Sequence, residues 1–551
     1  MKPVYCAILT CLLSLQVAAQ LMDKRHPHTA ADTLRGMLSP LRTSYDINYY
    51  HLDISLDIAN QAIKGSNEFH FTATQRLSKL QFDLFENMDI EKIIFKAQQI
   101  PFTRKFNAVF VSFPQPIEKG SKEKFTVFYS GKPVIAKNPP WEGGFIFSKD
   151  KSGKPWVSVA CQGLGASSWW PNKDHQSDEA DSMLISVTVP KDLQEISNGR
   201  LRSKVEKPNG QLQYNWFVNN PINNYNVTLY VGRYAHWADQ YAGEKGELSL
   251  DYWALKEDSA IAVPHWNADV KLMLKSFEHW FGPYPFYQDG YKLVQAPYLG
   301  MEHQSAIAYG NGFKKGYLGS DLSNTGWGLK FDFITIHESG HEWFGNNITT
   351  KDIADMWVHE AFTNYAEALF LESNYGKKAG AEYITGIRKN IRNDSPIIGT
   401  YNLNREGSGD MYYKGANLVH LIRQLINDDE KFRSILRGLN KTFYHKTVTT
   451  QQVEEYIIRQ SGLNLQKTFD QYLRHTGIPT LEYQVYNGLL KYRWAADVKN
   501  FDMPVKVSLK PGNFSFIYPS ANWKTIAADK SISNRSFKAE PNFYIQLKAV
   551  N

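Results

Sequence analysis

The sequence predicts a multidomain α+β protein in three parts: an N-terminal all-β domain, a mainly α-helical domain, and a small C-terminal β domain. Three observations carry this. From about Tyr45 to Trp253, short apolar/polar alternation rich in β-branched and aromatic residues recurs between turn signals. Near Lys256 the apolar residues change to helical spacing, and from Leu481 the alternation returns. The chain has 551 residues, 42% hydrophobic and 21% charged, enough for several folded cores. That composition excludes a mainly disordered, collagen-like or coiled-coil protein. The net charge of +7, from 62 basic and 55 acidic side chains, is a mild bias. No dense Lys/Arg run marks a nucleic-acid or polybasic membrane site.

The first residues, MKPVYCAILTCLLSLQVAAQ, read as an export signal over residues 1–19. Lys2 supplies the charge, Val4 to Val17 the apolar stretch, and Val17-Ala18-Ala19 the small residues at the cleavage point. The stretch is too short for a comfortable membrane span, and Ile8-Leu9-Thr10 lacks the small residue that a lipid anchor on Cys11 needs. Apart from this leader, no run is long and apolar enough to span a membrane. A periplasmic or secreted product is expected. Cys6 and Cys11 leave with the signal, so the mature chain keeps only Cys161 and no internal disulfide.

Residues 20–255 are expected to form the β domain, through strands such as Tyr50 to Leu56, Glu68 to Ala73, Phe125 to Tyr129 and Asn226 to Val231. The Pro/Gly-rich stretch from Gly131 to Pro155 reads as an ordered loop that Trp141 pins. Residues 256–480 follow, with helices expected over Asp269–Phe281, Lys330–Phe344, Met356–Tyr375, Gly415–Ile426 and Gln451–Gln460, and a strand over Tyr291–Gln295. Residues 481–551 complete the chain as the small β domain.

Within the second helix, His337-Glu338-Ser339-Gly340-His341 is an H-E-x-x-H pattern. Residues four apart lie one above the other on a helix, so both imidazoles can bind one zinc ion. Glu338 then falls beside the metal, where a general base for the attacking water belongs. A catalytic zinc needs a third protein ligand and one open position. Glu360 supplies it, eighteen residues after His341, on the strongly apolar helix of Val358, Ala361, Phe362 and Tyr365. Glu367, two turns further along the same face, is placed to receive the second ring N–H of a zinc histidine. Cys161 is more simply a small buried apolar residue than a nucleophile.

H-E-x-x-H, eighteen residues, then Glu in a W-x-x-E-[AG]-F context resembles the gluzincin aminopeptidases of the aminopeptidase N and leukotriene-hydrolase family. Tyr298-Leu299-Gly300-Met301-Glu302 resembles that family's tyrosine and G-M-E-N exopeptidase motif, Tyr412-Tyr413-Lys414-Gly415 its Y-x-K-G motif, and Gln162 with Trp170-Pro171 its N-domain glutamine and [FW]-P pair. The motifs stand in the family's order. The resemblance implies an N-terminal β saddle or sandwich, a thermolysin-like catalytic domain, and a short form without the large C-terminal helical domain. It implies a zinc aminopeptidase that removes N-terminal residues from peptides with a free N-terminus, through a zinc-activated water. In that reading His337, His341 and Glu360 hold the zinc and Glu338 is the general base. Glu302, helped by Gln162, binds the α-ammonium. Tyr298, Gly300 and Met301 serve substrate binding. Tyr412 donates to the oxyanion, with the adjacent Tyr413 as its rival. His303 and His359 replace asparagines of the family, and His303 is a remote candidate for the metal. The alternatives are a thermolysin-type zinc endopeptidase and an inert peptide-binding protein on the same scaffold. An ammonium clamp at Glu302 has no purpose in the first, and the second requires a lost catalytic residue.

Overall fold

The computed structural model describes residues 28–550; the predicted export signal, with Cys6 and Cys11, lies outside the described residues. An eight-stranded sheet forms the first layer. Its order is Arg200–Lys207, Gln211–Val218, Ser182–Pro190, Tyr45–Asp57, Ala62–Ala73, Lys122–Gly131, Met88–Phe95 and Gln98–Gln99. The long strand Tyr45–Asp57 pairs antiparallel with Ala62–Ala73 and parallel with Ser182–Pro190, Leu52 lying opposite Asn67 and Ile185. Its alternation turns Tyr50, Leu52, Ile54 and Leu56 inward. There they share a core with Leu80, Phe82, Val109 and Val111 of a three-stranded sheet and with Val157 and Val159 of a four-stranded one.

That four-stranded sheet corrects one expectation. Six residues inside the stretch read as a loop are strand, because Gly144–Lys149 pairs antiparallel with Pro155–Ala160 through Phe145↔Val159. Glycine and proline hid a strand whose own alternation is short.

A second correction concerns the hairpin Tyr234–Gly243/Gly246–Leu255, placed by the sequence at the end of the β domain. It belongs to a five-stranded sheet with Tyr291–Gln295, Ile307–Tyr309 and Gly300–Met301. Gly246–Leu255 runs parallel to Tyr291–Gln295, and Gly300–Met301 forms the antiparallel edge against Ala308 and Tyr309. One face of this sheet, with Leu250, Tyr252, Leu293 and Ile307, packs on the helices. The other, with Val294, Ala296, Met301 and Ala308, packs on the N-terminal β domain. Tyr291–Gln295 is accordingly buried at every position.

The helices around this sheet are Ser259–Phe281, Phe333–Gly340, Trp357–Tyr375, Lys377–Gly386, Tyr413–Ile426, Asp429–Thr442, Thr450–Ser461 and Gln466–Arg474. The first starts ten residues before the expected Asp269, with Pro264 inside it. Lys377–Gly386, Asp429–Thr442 and Gln466–Arg474 were not anticipated. For Asp429–Thr442 a signal was present: Asp428 caps its N-terminus, and Phe432, Ile435, Leu436 and Leu439 make one buried stripe. The C-terminal sheet, in the order Lys524–Ala527, Leu489–Ala495, Thr480–Tyr486 and Gln546–Ala549, packs Leu481, Tyr483 and Trp494 into the helical core. Arg388 fastens it by donating to the carbonyls of Pro541 (2.7 Å) and Asn542 (2.9 Å). Among the described residues, no helix is long and apolar enough to cross a membrane.

Candidate active site

The helix Phe333–Gly340 starts where Asp332 accepts a hydrogen bond from the Thr335 amide (3.1 Å). It is buried on every side, and it is shorter than the Lys330–Phe344 expected. Helical geometry lasts through His341 and then opens into a wide turn that breaks at Phe344 and Gly345. The four-residue spacing therefore survives where it is needed. His337 and His341 face the same way, and Glu360 meets them from the neighbouring helix Trp357–Tyr375. His337 Nε2 lies 3.6 Å and His341 Nε2 3.4 Å from Glu360 Oε2.

The ring nitrogens on the far side are already committed. His337 Nδ1 lies 2.7 Å from Glu367 Oε1, and His341 Nδ1 lies 3.0 Å from the Phe344 carbonyl. In the tautomers that donate from Nδ1, both Nε2 lone pairs point at Glu360. Its Oε2 is buried and meets no hydrogen-bond donor. An orphaned carboxylate oxygen facing two unprotonated imidazole nitrogens is the donor set of a catalytic zinc, and these three residues fit one zinc ion. Glu367 is itself held by Asn364 Nδ2 (2.7 Å) and the Tyr383 hydroxyl (2.5 Å).

Glu338 stands beside this triad. Burial pushes its carboxyl up to about 7, against the pull of the His337 and His341 imidazoles. Glu302 closes the group: one of its oxygens, one of Glu338 and a nitrogen of His341 all lie within 4.8 Å of one another. Gln162 Nε2 donates to Glu302 Oε1 (2.6 Å), which leaves the Gln162 carbonyl oxygen as an acceptor. The Glu302 main-chain carbonyl is fixed by Asn346 Nδ2 (2.8 Å), and Asn346 in turn accepts from Asn226 of the N-terminal domain (2.8 Å). Three parts of the sequence thus meet at one carboxylate.

Gly300 lies on the edge strand directly over Glu338. A Cβ there would stand 2.8 Å from Glu338 Oε1 and 2.7 Å from Ile334 Cγ2. Tyr412 precedes the helix Tyr413–Ile426, and its ring lies 6.1 Å from that of His337. Burial, then the carboxylates of Glu360, Glu406, Glu302 and Glu338, hold its hydroxyl well above the usual phenol range, so it stays a donor. Tyr413 lies nearer Glu367 and Tyr317. The glycine of the same motif has its own reason. A Cβ on Gly415 would meet the Ala361 Cβ at 2.7 Å, so glycine lets the Tyr412 helix cross next to Glu360.

Gln162, Gly300, Met301, Glu302, His337, Glu338, His341, Glu360, Tyr412 and Tyr413 all line one cleft. Tyr298 does not. The chain turns it out of the edge strand, into the N-terminal core, where its hydroxyl donates to the Val159 carbonyl (3.2 Å). In this structure its contacts are those of a packing residue. His303 is fully buried, with Nδ1 2.7 Å from the Tyr230 hydroxyl, and among the described residues it belongs to no group of potential metal ligands. His359 accepts from the Thr350 amide (2.8 Å). Burial pushes both imidazoles down to about 3, so both are neutral. The Cys161 thiol is pushed up to about 12 by burial, which removes it as a nucleophile.

The sequence reading missed Pro140, Trp141, Leu299, Tyr317, Phe333 and Ile334 as cleft residues, and Tyr225, whose phenol is raised by burial and by the nearby Glu302 and Glu360. These residues are apolar or lie outside motifs, so only folding reveals them.

Known families and structures resemble this chain over most of its length. The model described as "Peptidase family M1 domain" matches residues 266–472, and that described as "Peptidase M1 N-terminal domain" matches residues 46–225. Leukotriene A-4 hydrolase of Xenopus laevis is 23% identical over 442 residues, covering 75% of this chain and 68% of its own. Probable aminopeptidase 1 of Saccharolobus solfataricus is 20% identical over 459 residues (81% and 55%), and aminopeptidase N of Lactobacillus helveticus 25% over 222 residues (36% and 25%). The chain thus spans about two thirds of the first relative and less of the others. Among solved structures, an M1 zinc metallopeptidase from Deinococcus radiodurans superimposes with a TM-score of 0.67 at 21% identity, over 79% of this chain and 94% of its own. That likeness shows a shared fold.

Proposed function

The chain belongs to peptidase family M1, a family of zinc metallopeptidases, and from that premise we propose that it is an aminopeptidase that releases single N-terminal residues from peptides. The observation that carries this reading is the position of Glu302. Its carboxylate lies within 4.8 Å of Glu338 and His341. Within one residue, the α-nitrogen and the carbonyl carbon are about 2.5 Å apart. An ammonium held by Glu302 therefore presents the first peptide bond to Glu338. A carboxylate that binds an N-terminal ammonium has no purpose in an endopeptidase, which argues against that rival.

A zinc ion held by His337, His341 and Glu360 would supply Lewis acidity at the scissile carbonyl and would lower the pKa of a bound water. The rest is the work of the chain. Glu302 binds the ammonium by charge-assisted hydrogen bonds, and the free Gln162 carbonyl oxygen accepts from it too. Glu338 takes a proton from the attacking water and passes it to the leaving amine. The Tyr412 hydroxyl donates to the oxygen on which negative charge develops. Glu367 and the Phe344 carbonyl keep the imidazoles oriented. The relative from Deinococcus radiodurans has been solved bound to a Tyr-Ser-Ala substrate, and a tripeptide with a free amine suits the cleft described here. The N-terminal sequence supports export as part of the same proposal, the product acting in a periplasm or outside the cell.

The test is a panel of aminoacyl chromogenic amides, each with a free and an acetylated amine, before and after zinc chelation. Cleavage of free-amine substrates alone, lost with the metal and restored by zinc, is expected. Equal cleavage of acetylated substrates would overturn the proposal.

A further inference from the structure

We propose that Pro140 and Trp141 form the wall that receives the side chain of the first substrate residue, and that this wall selects peptides beginning with a large, uncharged apolar residue. The inference rests on the aminopeptidase reading above.

The two ends of the cleft are marked by different residues. At the ammonium end stand Glu302 and Gln162. Pro140 and Trp141 are part of the framework that carries Gln162. Their turn is closed by the Glu142 amide donating to the Asn138 carbonyl (2.8 Å), and it is tied down by Phe145 donating to Val134 (2.7 Å) and Ala136 donating to Phe145 (2.9 Å). Phe145 and Gly144 then pair with Val159 and Ala160, which lead directly into Cys161 and Gln162. The wall and the ammonium site are thus one piece of sheet.

At the other end, Phe333 stacks on the His337 ring (5.1 Å, 14°), and Tyr317 meets Phe333 edge-on (5.3 Å, 78°). That wall adjoins a zinc ligand and lies beyond the scissile bond. With the ammonium at Glu302 and the carbonyl at Glu338, the first side chain faces Trp141, Pro140 and Met301. The second residue faces Phe333 and Tyr317.

Charge narrows the class further. The acids lining the cleft are Glu302, Glu338 and Glu360, each already occupied by ammonium, proton transfer or metal. Among the described residues, no lysine or arginine lines it. An acidic first side chain would lie among carboxylates with no cation to offset it, and a basic one would find no unengaged partner. An indole, a proline ring and a thioether suit Leu, Phe or Met instead.

The experiment measures kcat/KM for Leu, Phe, Ala, Glu and Arg amides carrying one common leaving group. The wild-type protein is expected to favour Leu and Phe over Ala by about 10- to 100-fold, the weight of burying one large apolar side chain, and to be weakest on Glu. Trp141→Ala is expected to lower the Leu/Ala and Phe/Ala ratios at least tenfold, and Trp141→Phe to recover most of that loss. Ratios unchanged in Trp141→Ala, or a wild-type preference for Glu or Arg, would overturn the proposal. If the wild-type protein cleaved none of the five free amines, the aminopeptidase reading itself would fail, a result distinct from unaltered ratios in an active enzyme.

Discussion

Replacing Gly300 by alanine puts one methyl group between the edge strand and the proposed general base. The new Cβ would lie 2.8 Å from Glu338 Oε1 and 2.7 Å from Ile334 Cγ2, whereas ordinary contact begins at 3.4 Å. One side has to give by about 0.6 Å. The strand is poorly placed to yield, since Gly300 and Met301 pair with Tyr309 and Ala308, which in turn pair with the buried strand Tyr291–Gln295. The Glu338 carboxylate is the freer partner, and it moves. A misplacement of about 1 Å at a reacting group costs about 100-fold in rate, so a fall in kcat of about 10- to 100-fold is expected. Gly300 does not use a left-handed conformation, so alanine adds no backbone strain and the effect reports the contact alone. The zinc ligands are untouched, and metal content should remain one ion per chain. The assay is steady-state hydrolysis of a Leu amide, with zinc measured on the same sample and a thermal melt as the control for folding. A variant with kcat within twofold of wild type would refute the argument that Gly300 exists to make room for Glu338.

Glu338→Gln should keep its zinc and lose about 100- to 10,000-fold in kcat, the range of a removed general base; normal turnover would remove that role. Glu302→Ala should raise KM steeply for free-amine substrates, read from initial rates, and unchanged kinetics would take Glu302 out of ammonium binding. Glu367→Ala removes the acceptor of the His337 ring N–H, 2.7 Å away, and should weaken zinc binding about 10- to 100-fold in a chelator competition. Tyr412→Phe should lower kcat about 100- to 1,000-fold at near-constant KM, while Tyr413→Phe should not; the reverse result would exchange their roles.

The metal triad was legible because its signals are local. A four-residue spacing on a helix fixes which way two imidazoles point, whatever else the chain does, and a carboxylate in the apolar run from Val358 to Phe370 demands a partner. The three-domain order was legible for the same reason. What the sequence concealed depends on pairing between distant segments. The alternation of Tyr234–Leu255 reveals strands, but which sheet accepts them is decided by Tyr291–Gln295, forty residues on. Tyr298 sits beside a substrate motif and still turns away from the cleft, because the edge strand begins only at Gly300. The sequence reads Trp141 as a pin for a loop. Its place in the cleft follows from the register Phe145↔Val159, which no local pattern announces.

The five-stranded sheet is covered on both faces, by helices on one and by the N-terminal β domain on the other. Removing the N-terminal domain would therefore bare Val294, Ala296, Met301 and Ala308, and it would strip Gln162 from Glu302 and Asn226 from Asn346. The catalytic domain is therefore expected to depend on the N-terminal domain for its fold. It and the N-terminal domain should melt in one cooperative transition, and a fragment cut down to the helical domain should aggregate rather than turn over slowly. The same contacts tie the Gln162 and Asn226 side of the cleft to the Glu302 strand, so one wall of the site is carried by the other domain.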